Sequence, residues 1–198
     1  MSRNETTAIA WDVSKAEAAA ERTCAVILDA AARVLSQRPD AAMAEIADQA
    51  RVGRATLYRH FPTRESLLRG VSDAGIAELA QAIEAANIDE LSVDRAIARL
   101  TSVFLRTGAK YAAVINQVDQ QANSPQKRRV TQPLRDVFAR GISEGALRAD
   151  LTGDLLFELF SALTERALRL TIDETITPEA AADAVVAMFL DGTRRPSR

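Results

Sequence analysis

AEIADQARVGRATLYRHF, residues 44–61, holds two short helical patterns separated by a turn. In the first, Met43, Ile46, Ala47 and Ala50 fall on one side of a helix, and Arg51-Val52-Gly53 interrupts the pattern. Gly53 can cap the next helix or take positive φ. In the second, Leu57 and Phe61 stand four apart and both face inward. That leaves Arg54, Thr56, Tyr58, Arg59 and His60 on the other faces, and Pro62 closes the helix. Two short helices about a tight turn, packed on a longer first helix, outline a helix-turn-helix unit. Its outward groups are guanidinium forks, a hydroxyl, a phenol and an imidazole, which suit phosphates and base edges. Between residues 51 and 69 five arginines face one acid, Glu65, whereas residues 1–75 hold ten basic and ten acidic side chains. Positive charge is concentrated on this one element, although the whole chain carries −2 and by that average argues against nucleic acid.

The rest of the chain agrees with a helical protein. Of 198 residues, 47% are apolar and 26% charged, the balance of a soluble globular protein of one domain or two small ones. That excludes a disordered chain, a collagen and a disulfide scaffold. There are 38 alanines and 22 arginines against 3 lysines, and only 8 glycines and 6 prolines, so long helices are expected. Cys24 stands alone and reads as a small buried apolar group. No apolar run reaches the roughly 18–20 residues of a membrane span. No basic-then-apolar leader is read at the N-terminus, so a cytoplasmic location is expected.

Residues 1–13 show no period and read as a polar arm. Ser14 to Glu17 fits a capping box, so a helix is expected to start there. It carries Ile27, Ala30, Ala31, Val34 and Leu35 and ends before Pro39. Thr63 is a natural N-cap for a helix to about Asn87. Ser92 opens a helix continuing to Val118, Ser124-Pro125 opens another, and Gly145 stops it. Thr152 and Thr177-Pro178 begin the last two. No segment alternates as a strand does, so the fold class is all-α with about nine helices.

At this level of detail the sequence resembles a known family. ILDAAARVL (27–35), AEIADQARVGRATLYRHF (44–61) and PTRESLL (62–68) resemble the DNA-binding domain of TetR-family bacterial transcriptional regulators. The later segment GALRADLTGDLL (145–156), the length and the helical remainder are also similar. The resemblance implies a helix-turn-helix DNA-binding domain over 14–63 and a helical effector-binding and dimerisation domain over 64–198. It implies a double-stranded DNA operator as partner, a homodimer through the last two helices, and a small, largely apolar effector. DNA contacts are implied for Arg54, Thr56, Tyr58, Arg59 and His60, with Thr63 and Arg64 at the next helix start and Arg22 on the first helix. The expected mode is repression relieved by ligand at a near-palindromic operator. A ligand-dependent activator, or a helical interaction module without specific DNA binding, is the alternative. The chain departs from the family pattern at Ala42 and Ala44, where a hydroxyl and a basic residue are common. It departs again at Arg51, which stands where glycine would favour the turn conformation.

Other residues carry more than one reading. His60 either packs beside Phe61 or reaches DNA. Phe104, Tyr111, Phe138, Phe157 and Phe160 read as core, and the resemblance makes them candidates to line an effector pocket, with Asn116, Gln117 and Glu165 as polar members. Lys127-Arg128-Arg129 with Arg135 reads as a solvated face, a site that binds an anionic effector, or a partner for acids on a second subunit. No nucleophile elbow, phosphate loop, C-x-x-C or H-E-x-x-H motif is present, so no enzyme, cofactor or metal site is expected.

Overall fold

The computed structural model describes the backbone of residues 3–115 and 125–194. Among these residues there are eight α-helices and one 3-10 turn. They are α1 (Arg3–Gln37), α2 (Met43–Gln49), α3 (Arg54–His60) and α4 (Arg64–Ala85), the 3-10 turn (Ile88–Glu90), α5 (Val93–Ile115), α6 (Pro125–Ser143), α7 (Gly153–Ile172) and α8 (Pro178–Thr193). The one sheet-like feature among them is a single antiparallel bridge between Leu147 and Arg194. The expected all-α class is therefore observed, with eight α-helices in place of about nine. By its own contacts the chain divides into Met1–Val71 and Ser72–Arg198.

In the first unit, α1 is longer than expected. It begins at Arg3, so residues 3–13 are helical and Ser14 lies inside the helix. The reason is compositional: neither glycine nor proline occurs before Pro39, and a capping signature permits a start without forcing one. Ile27, Ala31, Leu35, Ile46, Leu57 and Leu67 are fully buried and form the core of this unit. Each large apolar side chain so buried contributes about 1.5–3 kcal/mol relative to exposure. Cys24 is half-buried rather than buried, and its burial pushes the thiol up from its ordinary value. The division after Val71 has a visible cause. A Cβ on Gly70 would stand 2.9 Å from Cε1 of Phe61 and 3.1 Å from Cδ2 of Leu28, so the start of α4 is pressed onto α1 and the end of α3.

Ala42 occupies the N-cap of α2 and has no side-chain oxygen to offer its amides. Glu45 supplies the missing half from the other direction. Its carboxylate accepts the Ala42 N–H at 2.8 Å and the Arg38 guanidinium at 2.6 Å. The Ala42 N–H, and after it Arg38, hold the Glu45 carboxyl below its usual 4.5.

In the second unit, α5, α6, α7 and α8 pack around one apolar core. Its centre is an aromatic triad, with ring centroids of Phe138, Phe160 and Phe189 5.0–5.6 Å apart. Two of the three contacts are edge-to-face, the arrangement favoured by the ring quadrupoles. Thr152 and Thr177 cap α7 and α8 as expected, accepting from the amides of Leu155 at 3.3 Å and Ala180 at 3.2 Å. α6 ends at Ser143, and Gly145 follows at φ 73, the left-handed position glycine fills without strain. Asn87, also left-handed, follows α4, which ends at Ala85 rather than Asn87. Val118 and Ser124 lie outside the described residues.

A depressed carboxyl contributes stability above its unfolded value and loses it as pH falls through its folded value. Glu45→Gln is therefore expected to melt below the native protein at pH 7 and above Glu45→Ala. The gap between native and Glu45→Gln should close as pH is lowered past 4.5 and below. Thermal unfolding followed by circular dichroism across that range checks it.

Candidate nucleic-acid interface and effector cavity

α3 is seven residues long, too short to persist alone, so its orientation comes from what it buries. Leu57 is fully buried and Phe61, its C-cap, nearly so. Fixing these two turns the opposite face to solvent. Tyr58 is 49% exposed, Arg54 and Arg59 are exposed, and Thr56 and His60 are half-buried. The His60 ring lies tilted 6.5 Å from that of Phe61, so it sits beside the core at the edge of the exposed face. Gly53, the N-cap, has φ −66 and open space around a would-be Cβ. Its glycine is thus not needed for conformation, and the backbone there is open to close approach. Arg51 takes φ 55, the strained turn position expected from sequence, at a cost of order 1 kcal/mol.

The arginines of the first unit fall into two groups. Arg33, Arg38 and Arg69 are each ion-paired, with Asp29, Glu45 and Glu65 at 2.6–2.8 Å. Arg22, Arg51, Arg54 and Arg59 are exposed, and none has an ion pair among the described residues. Three of these four lie on α3 or in the turn before it.

Arg64 belongs to neither group. Its guanidinium donates to the Ala41 carbonyl at 2.5 Å and the Pro39 carbonyl at 2.6 Å. It is spent holding the α1–α2 link onto the start of α4, a positioning role that the charge count does not reveal. Thr63 is exposed and forms a reciprocal cap with Ser66. Its hydroxyl accepts the Ser66 N–H at 3.0 Å, and its own N–H reaches the Ser66 hydroxyl at 3.1 Å. Arg51 is the cation at this surface that sequence reasoning left out of the contact set, although its presence in the turn was a visible signal.

The second unit holds a cavity of about 760 Å³. Phe104 from α5 and Phe157 and Phe160 from α7 line it, together with Glu165, all four named from the sequence. Phe138 does not line it: it is fully buried in the aromatic triad. Tyr111 is not among its lining residues either. Its hydroxyl donates to Glu78 at 2.6 Å, where Lys110 also donates at 3.0 Å. Burial, and then the Glu78 carboxylate, push the phenol up from its ordinary value. Asn116 and Gln117 lie outside the described residues. Of its basic lining residues, Arg135 belongs to the cluster that the sequence offered as one way to bind an anionic effector, whereas Arg169 was not singled out. Arg135 lies over the Phe157 ring, 3.8 Å from its centre, and pairs with Asp154 and with Glu158 at 3.8 Å.

Comparison with known proteins agrees with this arrangement. Residues 27–71 match the family described as bacterial regulatory proteins, tetR family. The chain is 27% identical over 177 residues to the HTH-type transcriptional regulator NfxB of Pseudomonas aeruginosa, across 87% of this chain and 95% of that one. It is 42% identical over 91 residues to the HTH-type transcriptional repressor LfrR of Mycolicibacterium smegmatis, across 46% of this chain and 48% of that one. The crystal structure of LfrR in complex with proflavine superposes with a TM-score of 0.73 at 27% identity, over 90% of this chain and 99% of that chain.

Arg64→Ala is expected to cost about 1–3 kcal/mol, since it removes two hydrogen bonds from a charged donor, one of them part-buried. Arg54→Ala and Arg59→Ala, at exposed unpaired positions, should stay within about 0.5 kcal/mol of the native protein. Urea unfolding of the three variants separates the positioning residue from the surface ones.

Proposed function

The chain belongs to the TetR family of bacterial regulatory proteins, and on that premise we propose that it is a dimeric repressor released from a near-palindromic DNA operator by a small-molecule effector. The observation that carries the DNA-binding part is the separation of paired from unpaired arginines. A protein gains nothing in stability from crowding unpaired cations on one short helix. Such cations gain affinity by displacing the counterions of a polyanion. Arg54, Arg59 and Arg51 are assigned to phosphates or guanine edges, Tyr58 and Thr63 to phosphates, and Arg22 to the backbone beside them. His60 contributes from the edge of the face.

Exposed apolar side chains on the last two helices support the dimer. Leu155 and Leu159 are 44% and 48% exposed and stand one turn apart on α7, and Met188 on α8 is 65% exposed. Pairing α7 and α8 with their copies would form a four-helix bundle with two-fold symmetry. Two reading heads then require two half-sites about one helical turn or slightly more apart. The cavity supports the effector: its volume suits a drug-sized molecule, and its floor is aromatic. α4 is the natural coupling element, since one end carries Arg64 and the other lends Ile83 to the cavity wall. An effector acts only through its differential affinity for the releasing arrangement. No helix among the described residues is long and apolar enough to cross a membrane, in keeping with a regulator acting on DNA in the cytoplasm.

Selection of bound fragments from genomic DNA is expected to return one near-palindromic sequence. On that site Arg54→Ala and Arg59→Ala should each flatten the slope of log affinity against log salt by about 0.9 where the arginine meets phosphate. Failure to enrich any sequence, with slopes unchanged by both substitutions, would sink the operator reading. Leu159→Arg is expected to convert a sedimenting dimer into a monomer that melts as a folded chain. A native chain that is monomeric at micromolar concentration would remove the palindrome.

A further inference from the structure

Resting on the reading that the cavity of the second unit takes the effector, we infer that this effector is an amphipathic organic anion. The walls of the cavity carry four basic side chains, Lys127, Arg128, Arg135 and Arg169, against two acidic ones, Glu158 and Glu165. Both carboxylates are already engaged. Glu165 binds Arg169 at 2.6 Å and Glu158 lies 3.8 Å from Arg135. Arg135 draws a third carboxylate, Asp154, from outside the lining, and among the arginines of the wall Arg128 alone has no ion pair among the described residues. Below this charged wall the floor is apolar, with Phe104, Phe157, Phe160 and Leu168.

A planar cation entering here meets two obstacles. The Phe157 face, the natural place to stack it, is covered by the Arg135 guanidinium, which two carboxylates hold. The guanidinium left open at the wall, that of Arg128, is of its own sign. An anion meets the reverse. Arg128 is exposed and has no ion pair among the described residues, and a guanidinium carries five donors, more than a single carboxylate uses. A carboxylate, sulfonate or phosphate head at this wall, with an aromatic or acyl body on the phenylalanine floor, satisfies both halves of the site. The cavity thus differs in preference from what LfrR holds in its crystal structure, since proflavine is a planar cation. The basic run at 127–129 together with Arg135 acquires a function in this way: three of its four members line the effector site, and Arg129 pairs with Glu84.

Two fluorescent probes isolate the charge. 1-Anilinonaphthalene-8-sulfonate and N-phenyl-1-naphthylamine share one aromatic skeleton, and only the first carries an anion. Titrated into the full-length protein, the sulfonate is expected to bind at least tenfold tighter than the neutral probe, and proflavine weaker than either. Arg128→Gln and Arg135→Gln should each reduce the sulfonate-to-neutral affinity ratio at least threefold. Ser161→Phe, and independently Thr131→Phe, fill the cavity from α7 and α6 and should abolish binding of both probes in protein that still melts cooperatively. Equal affinity for the two probes, with both lost in the filled variants, overturns the anion inference and leaves the effector cavity standing. Binding of neither probe, or binding that survives both fillings, overturns the cavity reading and the inference with it.

Discussion

Two side chains hold the outward face of α3 in place. α3 has seven residues and two inward anchors, Leu57 and Phe61, and no helix of that length holds its shape without such anchors. Everything polar on it is aimed by them. Phe61 in turn requires the backbone of α4 at van der Waals distance, which glycine at position 70 allows and any Cβ would push apart. Arg64 closes the arrangement from behind by binding the carbonyls of Pro39 and Ala41. A short helix, a bare backbone and a buried-side guanidinium therefore act as one device, and the exposed arginines are what it presents.

The same economy of charge runs through both units. Where an arginine serves the fold, it is given a carboxylate or carbonyls: Arg33, Arg38, Arg64 and Arg69 in the first unit, Arg129, Arg135, Arg148 and Arg169 in the second. Exposed pairs of this kind stabilise little, typically under about 1 kcal/mol, but they neutralise. What they leave over is therefore more informative than the totals. In the first unit the surplus is Arg51, Arg54 and Arg59 on α3 and the turn before it, with Arg22 on α1. At the cavity it is Arg128, on α6. A chain with an overall charge of −2 can in this way leave unpaired guanidinium groups in two separate places.

Much of this was legible in the amino-acid order. The four-residue spacing of Leu57 and Phe61 separates an inner from an outer face without any coordinates. Thr152 and Thr177 announce their helices because a hydroxyl at the N-cap answers a need of every helix start. Arg51 in place of glycine foretold a left-handed residue. Each of these is a local matter of backbone geometry or helical period. The start of α1 departs from the local signal for the complementary reason: the capping box at Ser14 is permissive, and an alanine-rich chain without a breaker runs through it to Arg3.

The amino-acid sequence by itself determined the helical class, the helix-turn-helix, the outward set on α3 and most helix starts, because all of these follow from neighbours a few residues apart. Only the tertiary structure decided which charges remain unpaired and which phenylalanines meet a cavity. Phe138 and Phe160 look alike in sequence, yet the first is sealed in the aromatic triad while the second also faces the cavity. Arg64 and Arg59 look alike too, yet one binds carbonyls 23 and 25 residues away and the other stands in solvent. Pairing and enclosure are properties of side chains brought together from distant positions, and no local pattern encodes the distance between them.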